Sequence, residues 1–295
     1  MLKPIQFGTV NVIAVIQSME PVLNTAEKAL ANYLLEDVNA IIPLTIEQLA
    51  QNSGTSYSTV VRFCQKLGFQ GFKDFKKKLT CDIIDNASQK DEASESYAIS
   101  YEESEQRICE KTFGEFDNIL QNCASLLNFD TLSQAVDMVL NASMLYIIGS
   151  GASAASALYA YTQLIRIGRR CAMESDPTIY QMKASLASEG EVLIAISSSG
   201  RTVSVVSAAE KAKERGASVI SISDFLVSPL QQTSDICLYT TTRNSKKYVD
   251  IDIPHTIGQI AIIDILYSCC CAKLGEKGDQ LYQITKEATD MGKSK

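Results

Sequence analysis

Two short runs in this chain combine glycine with clustered hydroxyl side chains: Gly149-Ser150-Gly151-Ala152-Ser153 and Ser197-Ser198-Ser199-Gly200-Arg201-Thr202. Each follows an apolar, β-branched stretch, ending at Ile148 and Ile196, and each precedes residues with helical periodicity. Glycine lets the backbone approach an anion. The first N–H groups of a helix lack partners and point outward, and the helix dipole favours negative charge there. Serine and threonine hydroxyls add neutral donors. Either turn alone is ordinary loop composition. Two of them at neighbouring strand ends can enclose a phosphate. The first also fits another pattern: Gly149, Gly151 and Ala154 read as G-x-G-x-x-A, with Glu174 where a ribose-binding acid would sit. That dinucleotide reading leaves the hydroxyl cluster at Ser197 to Thr202 unexplained.

A second constellation lies near the N-terminus. Asn24 with Glu27, and Thr45 with Gln48, have the spacing of capping boxes, and Ser56 is a good N-cap for a helix that buries Val60, Phe63, Cys64 and Leu67. Asn52, Ser53 and Gly54 stop the preceding helix, so three short helices with a tight break between the last two are expected, the arithmetic of a helix-turn-helix. In that motif the second helix enters the major groove and presents its N-terminal residues to base edges. The expected DNA-facing residues are Ser56, Tyr57, Ser58, Thr59, Arg62 and Lys66. Between Ser56 and Thr80, Arg62, Lys66, Lys73, Lys76, Lys77 and Lys78 oppose only Asp74. This basic face suits contact with phosphate backbone.

Other chemistries are not marked. Ser197 to Ser199 lack the flanking His and Asp of a hydrolase, and no Cys/His spacing suggests a metal, so no catalytic residue, metal or cofactor is assigned. His255 is the only histidine, and Glu174, Asp176 and Glu189 form no pair marked by spacing for sugar isomerisation. Nine cysteines, three of them consecutive at Cys269 to Cys271 on an apolar helix, read as reduced and mostly buried thiols of a cytoplasmic protein.

The elements that must hold these groups follow from the wider pattern. The chain has 295 residues, 46% hydrophobic and 21% charged, enough for two compact units. Its net charge of −7 is uneven: residues 1–80 hold eight basic and six acidic side chains, while residues 82–110 hold two basic and nine acidic. The expected division is a helix-turn-helix domain over 1–80, an acidic linker over 81–110 and an α/β domain over 111–295. In the last, Met144–Ile148, Arg170–Glu174, Val192–Ile196, Ser218–Ile222 and Ile236–Tyr239 read as strands, alternating with helices around 153–168, 177–187, 203–215 and 257–274. That is a five-stranded parallel sheet with helices on both faces, which binds ligands at the carboxyl ends of its strands. The apolar patch Val10–Ile16 is broken by Asn11 and lacks a cleavage site, so no signal peptide is read there; Ile257–Ala272 contains Asp264 and is short for a bilayer.

Leu49-Ala50 through Ser56, Thr59-Val60-Val61-Arg62-Phe63-Cys64, Leu67-Gly68-Phe69, Gly71-Phe72 and Phe75-Lys76 resemble the N-terminal domain of the RpiR family of bacterial transcription regulators, as do Thr25-Ala26-Glu27-Lys28 and Ala31-Asn32-Tyr33. The two hydroxyl turns, Lys211 through Gly216, Ser228-Pro229-Leu230 and Asp235 are similar to the sugar isomerase (SIS) domain, whose S-x-S-G-x-T holds a sugar phosphate. The resemblance implies a dimeric regulator of sugar-metabolism genes that binds operator DNA. It implies a phosphorylated sugar held by Ser150, Gly151, Ser153, Ser197, Ser198, Ser199 and Thr202, with Ser198 acting mainly through its backbone. Family members commonly carry Ser-Arg where this chain has His255-Thr256, so recognition of the sugar end must differ. An SIS-type isomerase and a dinucleotide-sensing repressor are the alternatives.

Overall fold

The computed structural model describes residues 12–19, 22–36, 38–87, 102–241 and 256–290. The chain divides into two compact units, the first ending at Leu126 and the second beginning at Leu127.

The first unit is helical. Its described elements are α1 (Val12–Met19), α2 (Thr25–Glu36), α3 (Val38–Ile41), α4 (Ile46–Asn52), α5 (Tyr57–Lys66), α6 (Phe72–Ala87) and α7 (Glu105–Leu126). The patch that looked interrupted in sequence is α1, and its Val12, Val15, Ile16 and Met19 recur at helical spacing and are buried. Asn24 caps α2 as expected: its Oδ1 accepts from Glu27 N–H at 3.0 Å while Glu27 Oε2 accepts from Asn24 N–H at 2.9 Å. Thr45 and Gln48 form the same reciprocal box on α4. Ser56 Oγ accepts from Thr59 N–H at the start of α5. Gly68, at φ 90°, ends α5 in the left-handed region that favours glycine, and lets Phe69 N–H return to Cys64 O at 3.0 Å. The basic run beyond it lies on α6, whose Phe75 packs edge-on against Phe69 with ring centroids 5.5 Å apart. The helical stretch continues to Ala87, past the boundary drawn at residue 80 from composition. By its contacts α7 groups with this unit.

The second unit alternates strand and helix. It comprises α8 (Phe129–Asn141), β1 (Leu145–Gly149), α9 (Ala152–Arg166), β2 (Cys171–Glu174), α10 (Pro177–Ser185), β3 (Val192–Ile196), α11 (Val203–Glu214), β4 (Ser218–Ser223), α12 (Pro229–Thr233), β5 (Ile236–Tyr239), α13 (Ile257–Leu274) and α14 (Glu276–Asp290). All pairings are parallel, in the order β2-β1-β3-β4-β5. Every residue of β3 is buried, as a central parallel strand covered on both faces requires. Leu193 and Ala195 face a layer built by α10 and α11 through Tyr180, Ala184, Val205 and Ala209. Their alternates Val192, Ile194 and Ile196 must face the opposite layer, where α9 and α13 pack on each other.

α13 is long and apolar enough to cross a bilayer by length and composition. Here it packs on α8, α9 and β4, and Asp264 within it accepts a hydrogen bond from Tyr159 Oη at 2.6 Å. Of the cysteine triplet, only Cys270 is buried, with burial pushing its thiol up to about 12; Cys269 and Cys271 are half-buried, so the expectation of three buried thiols holds for one.

Candidate functional site

In the second unit the chain leaves β1 for β2 on one side and then returns to place β3 on the other. The carboxyl ends of β1 and β3 are therefore the switch point of the sheet, the place where open parallel sheets bind ligands between diverging turns. Gly149 and Ile196 stand side by side in the register, so the two hydroxyl-rich turns leave from the same level. Glycine is needed at both. A Cβ on Gly149 would lie 2.4 Å from Ser153 O, and one on Gly200, at φ 60°, would lie 2.3 Å from Ser228 Oγ. Gly151, at φ 60°, is the N-cap residue of α9 and carries no side chain to compete for the exposed N–H groups.

The hydroxyls are arranged in pairs. Ser197 Oγ and Thr202 Oγ1 lie 3.0 Å apart across the second turn, with Ser197 buried and Thr202 at the N-cap of α11. Ser199 Oγ accepts from Arg201 N–H at 3.2 Å, and Ser150 is half-buried in the first turn. Ser153 and Ser198, one from each turn, are joined by a residue that sequence pattern did not mark. Gln259 on α13 is 1% exposed and donates through Nε2 to Ser153 Oγ at 3.1 Å and to Ser198 Oγ at 2.9 Å. The Ser198 side chain, expected to matter mainly through its backbone, is thus part of the link. Its carbonyl also works, accepting from Asp224 N–H at 3.0 Å.

Asp224 is a second group that was missed. It follows β4, is 5% exposed, and its Oδ1 accepts from the Thr240 hydroxyl. Burial pushes its carboxyl up to about 7, against the Thr240 and Ser198 hydroxyls, which pull the other way. Among the described residues, Asp224 Oδ2 and Gln259 Oε1 are buried without a hydrogen-bond partner. Both lie beyond the motif in sequence, and only the fold brings them to it. Glu174, the acid of the dinucleotide pattern, forms an ion pair with Lys183 of α10. His255 lies outside the described residues. Thr256 starts α13 as its N-cap, without a side-chain cap. No group of His, Cys, Asp and Glu suited to a metal occurs among the described residues.

In the first unit, α4 and α5 are separated by the four-residue break 53–56. Ser56, Tyr57, Ser58 and Arg62 are exposed on α5, and Thr59 is half-buried. Ser56 Oγ lies 2.9 Å from Ser58 Oγ and 2.8 Å from Thr59 Oγ1, a hydroxyl cluster at the helix start. Arg62 Nε donates back to Ser58 O at 3.2 Å, which leaves the rest of its guanidinium fork outward. Lys66 behaves otherwise. Its ammonium donates to Glu27 Oε2 and Val22 O, each at 2.7 Å, so its charge is spent within the domain where a phosphate contact was expected. Lys76 likewise turns inward, donating to Leu44 O at 2.7 Å over the Phe72 ring. Lys73 and Lys77 remain exposed.

A helix-turn-helix of this geometry, in one chain with a doubly wound α/β unit that carries two hydroxyl-rich turns at its switch point, is the architecture of a helix-turn-helix transcriptional regulator. Residues 10–86 match the helix-turn-helix domain of the rpiR family, and residues 138–251 match the SIS domain. A helix-turn-helix transcriptional regulator of Thermotoga maritima is 33% identical over 84% of this chain and 87% of its own length. HexR of Pseudomonas aeruginosa, also a regulator of this type, is 30% identical over 87% of each. Among solved structures, Vibrio vulnificus NanR complexed with ManNAc-6P is 27% identical and superposes with a TM-score of 0.58 over 97% of this chain and 100% of that one. The sugar isomerase domain of an RpiR transcription factor from Sphaerobacter thermophilus, 20% identical with a TM-score of 0.57 over 62% of this chain and 99% of its own, shares the fold of the second unit. The chain belongs to the rpiR family of helix-turn-helix transcriptional regulators.

Proposed function

We propose that this regulator binds operator DNA through the start of α5 and that a phosphorylated sugar, held in the crevice between β1 and β3, controls that binding. The carrying observation is the convergence of Ser153 and Ser198, from two separate turns, on one buried amide. Ser150, Gly151, Ser197, Ser199 and Thr202 complete the cradle, with backbone N–H groups of two helix starts and hydroxyl donors toward the phosphate. That NanR is seen with a sugar phosphate supports this class of effector. On the DNA side, Ser56, Tyr57, Ser58, Thr59 and Arg62 reach the groove, and Lys73 and Lys77 contribute charge. The functional protein is, on this reading, a cytoplasmic homodimer or higher homo-oligomer that does not turn its ligand over, in keeping with relatives named as transcriptional regulators.

A ligand screen on the full chain tests this reading, using sugar phosphates, their unphosphorylated parents and NAD, with thermal stability and operator retardation as readouts. Stabilisation by phosphorylated sugars alone, together with a shift in operator affinity, is the expected result. Stabilisation by NAD alone would favour the dinucleotide reading, and isomerised product in the mixture would favour an enzyme.

A further inference from the structure

Gln259 has a role beyond joining two turns. A primary amide has two N–H donors, and here both are committed: one to Ser153 Oγ, the other to Ser198 Oγ. A hydroxyl that accepts on its oxygen keeps its own O–H to give. Ser153 is thereby held as a donor, and polarised as one, because hydrogen bonds in a chain strengthen one another in a buried setting, while the Ser198 hydroxyl is held between the amide and the Asp224 carboxyl. Were the amide oxygen, or a carboxylate, in the same place, the Ser153 hydroxyl would donate to it and be withheld from an anion. Gln259 is buried, and its Oε1 has no hydrogen-bond partner among the described residues.

On the sensor reading above, we propose that Gln259 is a positioning residue that primes Ser153 as a phosphate donor and, through Ser198, fixes the second turn beside it, so that the crevice selects the phosphorylated over the unphosphorylated form of its ligand. Gln259 does not itself contact the phosphate in this arrangement; it acts through the two serines.

The test is calorimetry on the full-length protein with N-acetylmannosamine 6-phosphate, glucose 6-phosphate and inorganic phosphate, and with the unphosphorylated sugars as controls. Gln259→Glu turns the Ser153 hydroxyl toward a carboxylate and should weaken every phosphorylated probe by tenfold or more, with a smaller change for any unphosphorylated sugar that binds. Gln259→Met, close in volume but without donors, should weaken phosphorylated probes less than Glu does. The melting temperature without ligand reports whether each variant folds; if the Glu variant does not, the Met variant decides alone. In a Ser153→Ala/Ser198→Ala background, Gln259→Met should have no further effect, because the groups through which it acts are gone. A glutamine that acts through other contacts would instead add its full loss in that background, and one that merely joins the turns would lose as much in the Met variant as in the Glu variant; either result overturns the proposal. Wild-type affinity in both Gln259 variants overturns it too, while leaving the sensor reading intact. If the wild-type protein binds none of the phosphorylated probes, the sensor reading fails and the priming role falls with it.

Discussion

Gly200 and Asp224 show how closely the crevice is built. A methyl group on Gly200 would force a left-handed backbone on alanine and meet Ser228 Oγ at 2.3 Å and Cβ at 2.6 Å. Gly200→Ala should therefore destabilise the second unit by about 2–4 kcal/mol, combining backbone strain with overpacking. Urea denaturation checks it, and Ser228→Gly in the same chain should recover only the overpacking part. Asp224 carries a pH signature. Its folded-state pKa of about 7 stands above the ordinary 3.8, so between those values the folded state binds more protons than the unfolded one. Its contribution to stability is fully present below about pH 4 and disappears as pH rises through 7. The melting temperature of Asp224→Asn relative to wild type should rise from pH 4 to pH 8 and level off above it. A difference that is flat across that range would mean the carboxyl is not held protonated.

Among the elements, α5 is both reader and strut. Its outward face offers Arg62, while its inward end anchors Lys66 on a Glu27 carboxylate whose side chain is 9% exposed. Glu27 already accepts the N–H of Asn24, so one carboxylate fastens the start of α2 and the end of α5. Lys66→Ala leaves that acid nearly buried with one partner fewer and should cost about 1–3 kcal/mol of stability. Arg62→Ala should leave stability within about 0.5 kcal/mol, as exposed substitutions do, and weaken operator binding. Denaturation and retardation assays on the two variants separate the roles. Caps were legible because they are local: Asn24 with Glu27, Thr45 with Gln48 and Ser56 lie within one turn of the groups they satisfy. The strands were legible because a parallel sheet demands unbroken apolar runs. What was not legible depends on long-range packing. Nothing around Lys66 reveals a partner 39 positions earlier, and nothing around Ser153 reveals an amide 106 positions later. α1 was hidden by Asn11, whereas α7 was legible from Ile108, Phe113, Phe116, Ile119, Leu120 and Cys123 at helical spacing, though periodicity places a helix but not the unit it joins.

For the assembled regulator, the electrostatics are local although the protein is acidic overall, with a net charge of −7. Operator affinity should fall linearly in log–log salt titrations, and removing Lys73 or Lys77 should lower the slope by about one for each phosphate no longer neutralised. A dimer should protect half-sites spaced by whole helical turns, about 34–36 Å, in footprinting. Coupling must be reciprocal. Whatever factor the effector imposes on operator affinity, the operator must impose on effector affinity, and calorimetry with and without DNA measures both.

Gln259 arrives late in the chain, on the helix that follows all five strands. During synthesis the reading head is complete, and both hydroxyl turns are out of the ribosome, well before the amide that joins their serines exists. A product ending before residue 256 would carry the whole helix-turn-helix but lack α13, whose Ile262, Ile263 and Leu266 are buried in the second unit, so on the sensor reading it would lose the sensing fold together with the amide.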